Sequence, residues 1–360
     1  MTGGLINLNA NPLVTTPFDI TGAHELSVSN GALPETTVYP TNSATSALVL
    51  DLLLSDGGVD TLASTVTELR FDTSLSTADI NDGSFTLHAT GLPLAGLAAN
   101  VVGNELVFSG LNIVVGNGVG TDVELRFTPV GGSLGSSDGD YYRVSIDQSD
   151  ISVLTTGSQV TTSSASNGSG MEIDVVASKL TIGIQPGNGT AGLILTTQPT
   201  VFATDAFGNH DLDYTGLATA FIENDSSPNG AYLDGSNQRT MIGGFALYVD
   251  LRIDEAAMGY TLRFTAPGLA PAISTPFDIS PSTASTMRIE TQPGNGVAGM
   301  NLSTQPQLVI EDAFGNTVDD TGTQVSAVIS TDPHGAAVLQ GAAMIPSMNG
   351  IVDFTDLRID

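Results

Sequence analysis

The strongest constraint on this chain is that part of it is written twice. Gln185-Pro-Gly-Asn-Gly-Thr-Ala-Gly192 returns as Gln292-Pro-Gly-Asn-Gly-Val-Ala-Gly299, 107 positions on. Thr197-Gln-Pro199 returns as Thr304-Gln-Pro306, and Asp205-Ala-Phe-Gly-Asn209 as Asp312-Ala-Phe-Gly-Asn316, at the same offset. After a single deletion, Asp250-Leu-Arg-Ile-Asp254 returns as Asp356-Leu-Arg-Ile-Asp360, now 106 on. A fixed period means a structural unit used more than once. A unit near a hundred residues suits a seven-stranded β-sandwich. One complete unit is expected over 179–284. A second is expected over 285–360, partial and without its last two strands.

The local pattern is β throughout. In Thr65-Val-Thr-Glu-Leu-Arg-Phe71, Asp122-Val-Glu-Leu-Arg-Phe127 and Tyr142-Arg-Val-Ser-Ile146, apolar residues fall on every second position, which lines one face of a pleated strand. Between such runs lie Asp56-Gly57-Gly58, Asn81-Asp82-Gly83, Asn117-Gly118 and Asp138-Gly139, residues that tolerate the positive φ of tight hairpins. Only the stretch from Leu92 to Val102 reads as a place for one helical turn. The fold class is therefore all-β: tandem β-sandwiches, with a larger and distinct sandwich domain over 21–178. Residues 1–20 read as the last strand of a further sandwich, because Thr16-Pro-Phe-Asp-Ile20 repeats Thr275-Pro-Phe-Asp-Ile279. Beginning and end together spell one nearly whole unit. That points first to a window on a longer tandem array. The competing expectation is a filament subunit, in which Pro17, Phe18, Asp19 and Ile20 of one copy complete the partial sandwich of the next by strand addition.

Charge excludes several functions. Nine Lys and Arg face 38 Asp and Glu, for a net charge of −29. Binding nucleic acid needs clustered cations to neutralise phosphates, and docking on anionic lipid needs them too. Neither is expected. So many carboxylates call for salt screening or bridging divalent cations. There is no Cys, which removes disulfides and thiolate chemistry together. No apolar run is long enough to span a bilayer. The first residues, Met1-Thr-Gly-Gly-Leu-Ile-Asn, lack the basic n-region and apolar core of a signal peptide.

The order Thr-Gln-Pro, Ala-Gly, Asp-Ala-Phe-Gly-Asn, Phe354-Thr-Asp-Leu-Arg-Ile-Asp360 and Gly259-Tyr-Thr-Leu-Arg-Phe-Thr-Ala266 resembles the bacterial immunoglobulin-like repeats of large secreted or surface proteins of the adhesin and invasin type. The resemblance covers 179–360, and the first twenty residues through one strand. Val107-Phe-Ser-Gly-Leu111, Asp138-Gly-Asp-Tyr-Tyr-Arg-Val-Ser-Ile146 and Met171-Glu-Ile-Asp-Val-Val176 are similar to a β-rich module that precedes such repeats. The resemblance implies an extracellular or cell-surface, non-enzymatic segment, working as spacer or ligand-presenting array. Its implied partners are neighbouring domains or subunits of the same array and a surface or glycan ligand.

Candidate sites follow from the carboxylates. Asp205, Asn209, Asp211 and Asp213 bring four oxygen-bearing side chains into nine residues, and Asp312, Asn316, Asp319 and Asp320 repeat the theme. Ca²⁺ takes six to eight oxygen ligands from such flexible loops. The plainer alternative is a turn whose Asp and Asn cap their own backbone around Gly208 and Gly315. Asp254 with Glu255, and Asp138 with Asp140, are further acidic pairs of the same kind. No cofactor other than Ca²⁺ is indicated. His24, His88, His210 and His334 are scattered, without zinc-ligand spacing, and no Gly-x-Ser-x-Gly elbow is present. An enzyme is not expected. Alternation turns one member of Tyr141-Tyr142 into the core, which argues for packing over an aromatic carbohydrate patch. A carbohydrate-binding accessory region of a secreted enzyme stands as the third reading of the whole.

Overall fold

The structure, a computed structural model, describes residues 24–360 except 44, 59–60, 156–158 and 334. Residues 1–20, and with them the segment Pro17–Ile20, lie outside the described residues. The chain divides into two compact units, Met1–Val175 and Val176–Asp360.

The first unit is a two-layer sandwich. One sheet runs in the order Gln159–Val160, His24–Asn30, Ala47–Asp56, Gly120–Pro129, Gly83–Ala89, Leu97–Ala98. The other runs Ser164–Ser166, Ser145–Asp147, Ser64–Asp72, Glu105–Val115, Asn100–Val102, with Ile151–Val153 also paired to Ser64–Asp72. Alternation sets the register. Leu50 and Leu52 lie opposite Leu125 and Val123, so all four point inward and are fully buried. Phe127 meets Phe85, Tyr39 and Tyr142 in the core at centroid separations of 5.1, 5.7 and 4.8 Å. Tyr142 is the inward member of its pair and donates to the Asp79 carbonyl. Tyr141 stays at the surface, with its hydroxyl on Glu172 and Arg143 over its ring.

The expected helical turn between Leu92 and Val102 is not formed. Gly91 and Gly96 adopt φ of +92° and +77°, outside the helical region, and Pro93 removes a donor between them. The segment crosses from one layer to the other. Leu97–Ala98 pairs with Gly83–Ala89, and Asn100–Val102 pairs with Glu105–Val115. The only helical element among the described residues is the short 3₁₀ turn Gln148–Asp150, capped by Asp147. No helix among the described residues is long and apolar enough to cross a membrane.

The second unit holds both copies of the repeat. In the first copy, Lys179–Ile184, Thr200–Thr204 and Phe245–Leu247 form one layer. The facing layer runs Gly189–Thr190, Phe277–Ser280, Ala257–Thr265, Leu217–Asn224, Gln238–Thr240. Ala218, Ala220, Tyr260, Leu262, Phe264, Phe277 and Ile279 of that layer bury against Val201, Ala203 and Ala246. The second copy repeats the first layer as Thr286–Thr291, Gln307–Glu311 and Ile351–Asp353. Its other layer is reduced to Gln324–Ser326 paired with Met344–Pro346. The core shrinks to Ile310, Val325, Val352, Phe354 and Leu357.

Two of the repeated words explain each other. The Gln198 side chain accepts from the Leu251 amide at 2.9 Å and donates to the Leu251 carbonyl at 2.9 Å. Gln305 makes the same pair of bonds to Leu357, at 3.0 and 2.9 Å. The side-chain amide thus gives the Leu251 and Leu357 amides an acceptor and adds a second donor to their carbonyls, so Thr-Gln-Pro and Asp-Leu-Arg-Ile-Asp are repeated together.

Candidate functional site: the joint between the repeats

The Asp-Ala-Phe-Gly-Asn loops begin as self-contained turns. Asp205 Oδ1 accepts from the Phe207 and Asn209 amides, both at 2.9 Å, and Asn209 Nδ2 donates to Asp205 Oδ2 at 2.7 Å. Asp312 Oδ1 accepts from Phe314 and Asn316 at 2.9 and 3.0 Å, and Asn316 Nδ2 donates to Asp312 Oδ2 at 2.9 Å. Gly208 and Gly315 sit at φ of +98° and +91°, a region that penalises any side chain. Asp and Asn therefore close the turn, and glycine lets it close.

The second loop does more. Asp312 Oδ2 also accepts from the Ser282 amide at 2.8 Å, on the segment that links the two repeats. Asn316 Oδ1 accepts from the Ala256 amide at 2.7 Å, and its Nδ2 donates to the Asp254 carbonyl at 2.9 Å. The Phe314 ring lies over Gly192 so closely that a Cβ there would overlap it. One pentapeptide of the second repeat thus grips three separate stretches of the first. Burial alone would push the Asp312 carboxyl up. The Asn316 side chain and the amides of Ser282, Phe314 and Asn316 outweigh that and hold it below the usual carboxylate range.

Beside the joint lies an open cavity of about 680 Å³, lined by Glu255, Asp278, Arg288, Glu311 and Asn316 among others. Arg288 is committed there, to Glu311 at 2.7 Å and to Glu290.

Asp211 accepts from the Ala177 and Tyr214 amides, both at 2.8 Å. Asp213 is exposed, and a hydrogen bond to Asp211 raises its carboxyl above the usual value, aided by partial burial and the Asp211 charge. Asp320 is held low by the hydroxyls of Ser347 and Thr323 and takes no part in the joint, and Asp319 is exposed. Asp254 Oδ1 accepts from Tyr232, so its main chain and not its carboxylate meets the second repeat. Glu255 accepts from Asn229 at 3.4 Å. Asp138 accepts from Val175 and Asp140 from Ser137, both at 2.7 Å. His88 bonds Thr86, and His210 packs edge-on against Phe202. His334 is outside the described residues, as are the side-chain surroundings of His24.

Sequence reasoning singled out Asp312 and Asn316 but missed Gly192, Ala256, Ser282 and Phe314 as their partners. A signal was present. Phe is kept in both copies of a polar loop, and Gly192 is kept as Gly299.

The sequence matches no protein-family model and no curated protein. Among solved structures, an Escherichia coli adhesin, FdeC, is similar at 12% identity and a TM-score of 0.32, over 94% of this chain and 96% of that one. InvD of Yersinia pseudotuberculosis is similar at 15% identity and 0.33, over 93% and 83%. A glycosyl hydrolase family 2 member from Bacteroides cellulosilyticus aligns at 13% and 0.25, over 64% of this chain and 24% of that one. Likeness at this level bears on neither function nor partner. The fold is read from the sheets themselves.

Proposed function

We propose that this chain is a non-enzymatic segment of an extracellular or cell-surface protein, and that its repeats serve as a spacer that holds a ligand-presenting region away from its anchor. One observation carries the reading: the second repeat is clamped onto the first through the linker and a repeated loop, with hydrogen bonds from Asp312 and Asn316. A clamp of that kind transmits position and performs no chemistry. The low content of basic residues, nine of 360, is compatible with an exposed surface that rejects polyanions. Single-molecule pulling on the full chain tests the reading. Separate unfolding events are expected, with the 106 residues of the complete repeat releasing roughly 350–380 Å of contour at about 3.3–3.6 Å per residue. A single event for the whole chain would overturn it.

A second reading rests on the second repeat. Leu217–Asn224 is paired along both edges, by Gln238–Thr240 and Ala257–Thr265. Its counterpart Gln324–Ser326 is paired along one edge only among the described residues, and Val328 just beyond it is 80% exposed. In the complete repeat, Phe277 and Ile279 of the sequence Pro-Phe-Asp-Ile are buried in the closing strand. Pro17–Ile20 has the same sequence. Head-to-tail strand complementation between copies is therefore the alternative function. Light scattering of the full chain at rising concentration distinguishes it. Growth that disappears on replacing Phe18 and Ile20 by Asp supports complementation, and a constant monomer mass rules it out.

A further inference from the structure

The joint has two halves, of which the plug occurs twice in the sequence. The plug is the Asp-Ala-Phe-Gly-Asn loop, at 205–209 and 312–316. The receiving half in the first repeat is Gly192 with the backbone of Asp254 and Ala256. Its counterparts in the second repeat are Gly299 and Asp360. Gly192 and Gly299 adopt nearly the same backbone, with φ of +73° and +77°. Their surroundings differ. A Cβ on Gly192 would overlap the Phe314 ring, whereas a Cβ on Gly299 would find only Asp360 Oδ1, at 3.8 Å. Gly192 is thus covered by a plug, and Gly299 has the same backbone with no ring over it among the described residues.

We propose that the Asp-Ala-Phe-Gly-Asn loop and the glycine-bearing end of the preceding repeat form a plug-and-socket joint that fixes the angle between successive repeats without a metal ion. The chemistry of the plug follows from the socket it occupies. It must bring an aromatic ring to cover the glycine and a carboxamide to span one amide and one carbonyl. A bare acidic loop lacks the ring, and an aromatic patch lacks the carboxamide. Metal is not required by this geometry. Both oxygens of Asp312, and the oxygen and nitrogen of the Asn316 carboxamide, are engaged with protein groups. The proposal deepens the spacer reading and rests on it for its purpose.

The chain has no cysteine, so Thr215→Cys and Ser326→Cys place one spin label on each repeat without background. Both positions are exposed. Double electron–electron resonance on the full chain then reads the spread of inter-repeat distances. A narrow distribution is expected for the parent, unchanged between EDTA and millimolar Ca²⁺. Gly192→Ala and Phe314→Ala are each expected to broaden it at least twofold. Gly299→Ala carries the same backbone strain with no ring to displace, and is expected to leave it narrow. Phe314→Ala adds no backbone strain, so it tests the plug even if the glycine variant folds poorly. A broad parent distribution, narrowing only with Ca²⁺, equal broadening by both glycine variants, or no effect of Phe314→Ala would each overturn the joint. Separate unfolding events under force can persist after any of these failures, so the spacer reading is judged independently.

Discussion

Asp312 does two jobs with one carboxylate, closing its own turn and holding the Ser282 amide of the linker. Hydrogen bonds to a charged group are each worth about 1.5–3 kcal/mol when they replace hydration. Asp312→Ala is expected to destabilise the second repeat by at least about 1.5 kcal/mol in denaturant titrations, with Asp312→Asn in between. The pH dependence has a definite sign. The folded carboxyl lies below its ordinary value, so its contribution is present above the usual carboxylate range and is lost as pH falls through the depressed folded value. Stability measured from pH 7 to pH 2 is expected to fall less steeply in Asp312→Ala than in the parent. A second residue-scale prediction comes from comparing the copies. Tyr248 is fully buried, and among the described residues neither its hydroxyl nor Arg239 Nε has a partner. Burial pushes the phenol up strongly, opposed only by the Arg239 charge. At the equivalent places the second repeat carries Phe354 and Ile345, so both polar groups are missing together. An unpaired buried hydroxyl costs free energy, and Tyr248→Phe removes it while keeping the ring. The variant is expected to match or exceed the parent in Tm. A loss above about 1.5 kcal/mol would show a sequestered water bonding the hydroxyl.

At the scale of elements, alternation identified strands wherever one face is buried and the other wet, as in Val123, Leu125 and Phe127. It failed between Leu92 and Val102, where a run rich in Leu and Ala suggests helix. There two glycines with positive φ and the step between layers govern the backbone, and neither leaves a periodic trace. The candidate loops show the same division. That Asp205 and Asp312 close turns was legible, because Asp, Gly and Asn at that spacing satisfy one another locally. That Asp312 also grips Ser282 was not, since a local pattern carries no information about a strand end thirty residues away. The edges of strands give a prediction. Leu217–Asn224 is protected by a neighbour on each side, whereas Gln324–Ser326 has one among the described residues. Fewer ladder bonds and a smaller core lower the cost of local opening. Amides of 324–328 are expected to exchange with deuterium at least tenfold faster than those of 217–221. Equal rates would mean that the open edge is covered in solution.

For the whole molecule, charge is the dominant long-range force. Seven of the eight arginines bond to carboxylates, while Arg143 lies over Tyr141 and Lys179 bonds the Ala206 carbonyl. Those pairs are at least partly exposed, where an ion pair is worth about 1 kcal/mol or less. They cannot offset the mutual repulsion behind a net charge of −29. Screening acts over a Debye length of about 8 Å at physiological ionic strength. Tm is therefore expected to rise between 10 mM and 1 M NaCl. A fall would mean that the arginine pairs outweigh the repulsion. CaCl₂ at matched ionic strength separates screening from specific binding, since a further rise with Ca²⁺ alone would mark a specifically bound ion. The sequence by itself determined the all-β class, the period of the repeat and the loops that close on themselves, because strand alternation, turn chemistry and repetition act between near neighbours or identical copies. Only the tertiary structure decided that Gly192 is a seat for Phe314 and that Asn316 spans Asp254 and Ala256. Those partners are separated by sixty residues or more, and each is ordinary until two folded sandwiches bring them within bonding distance.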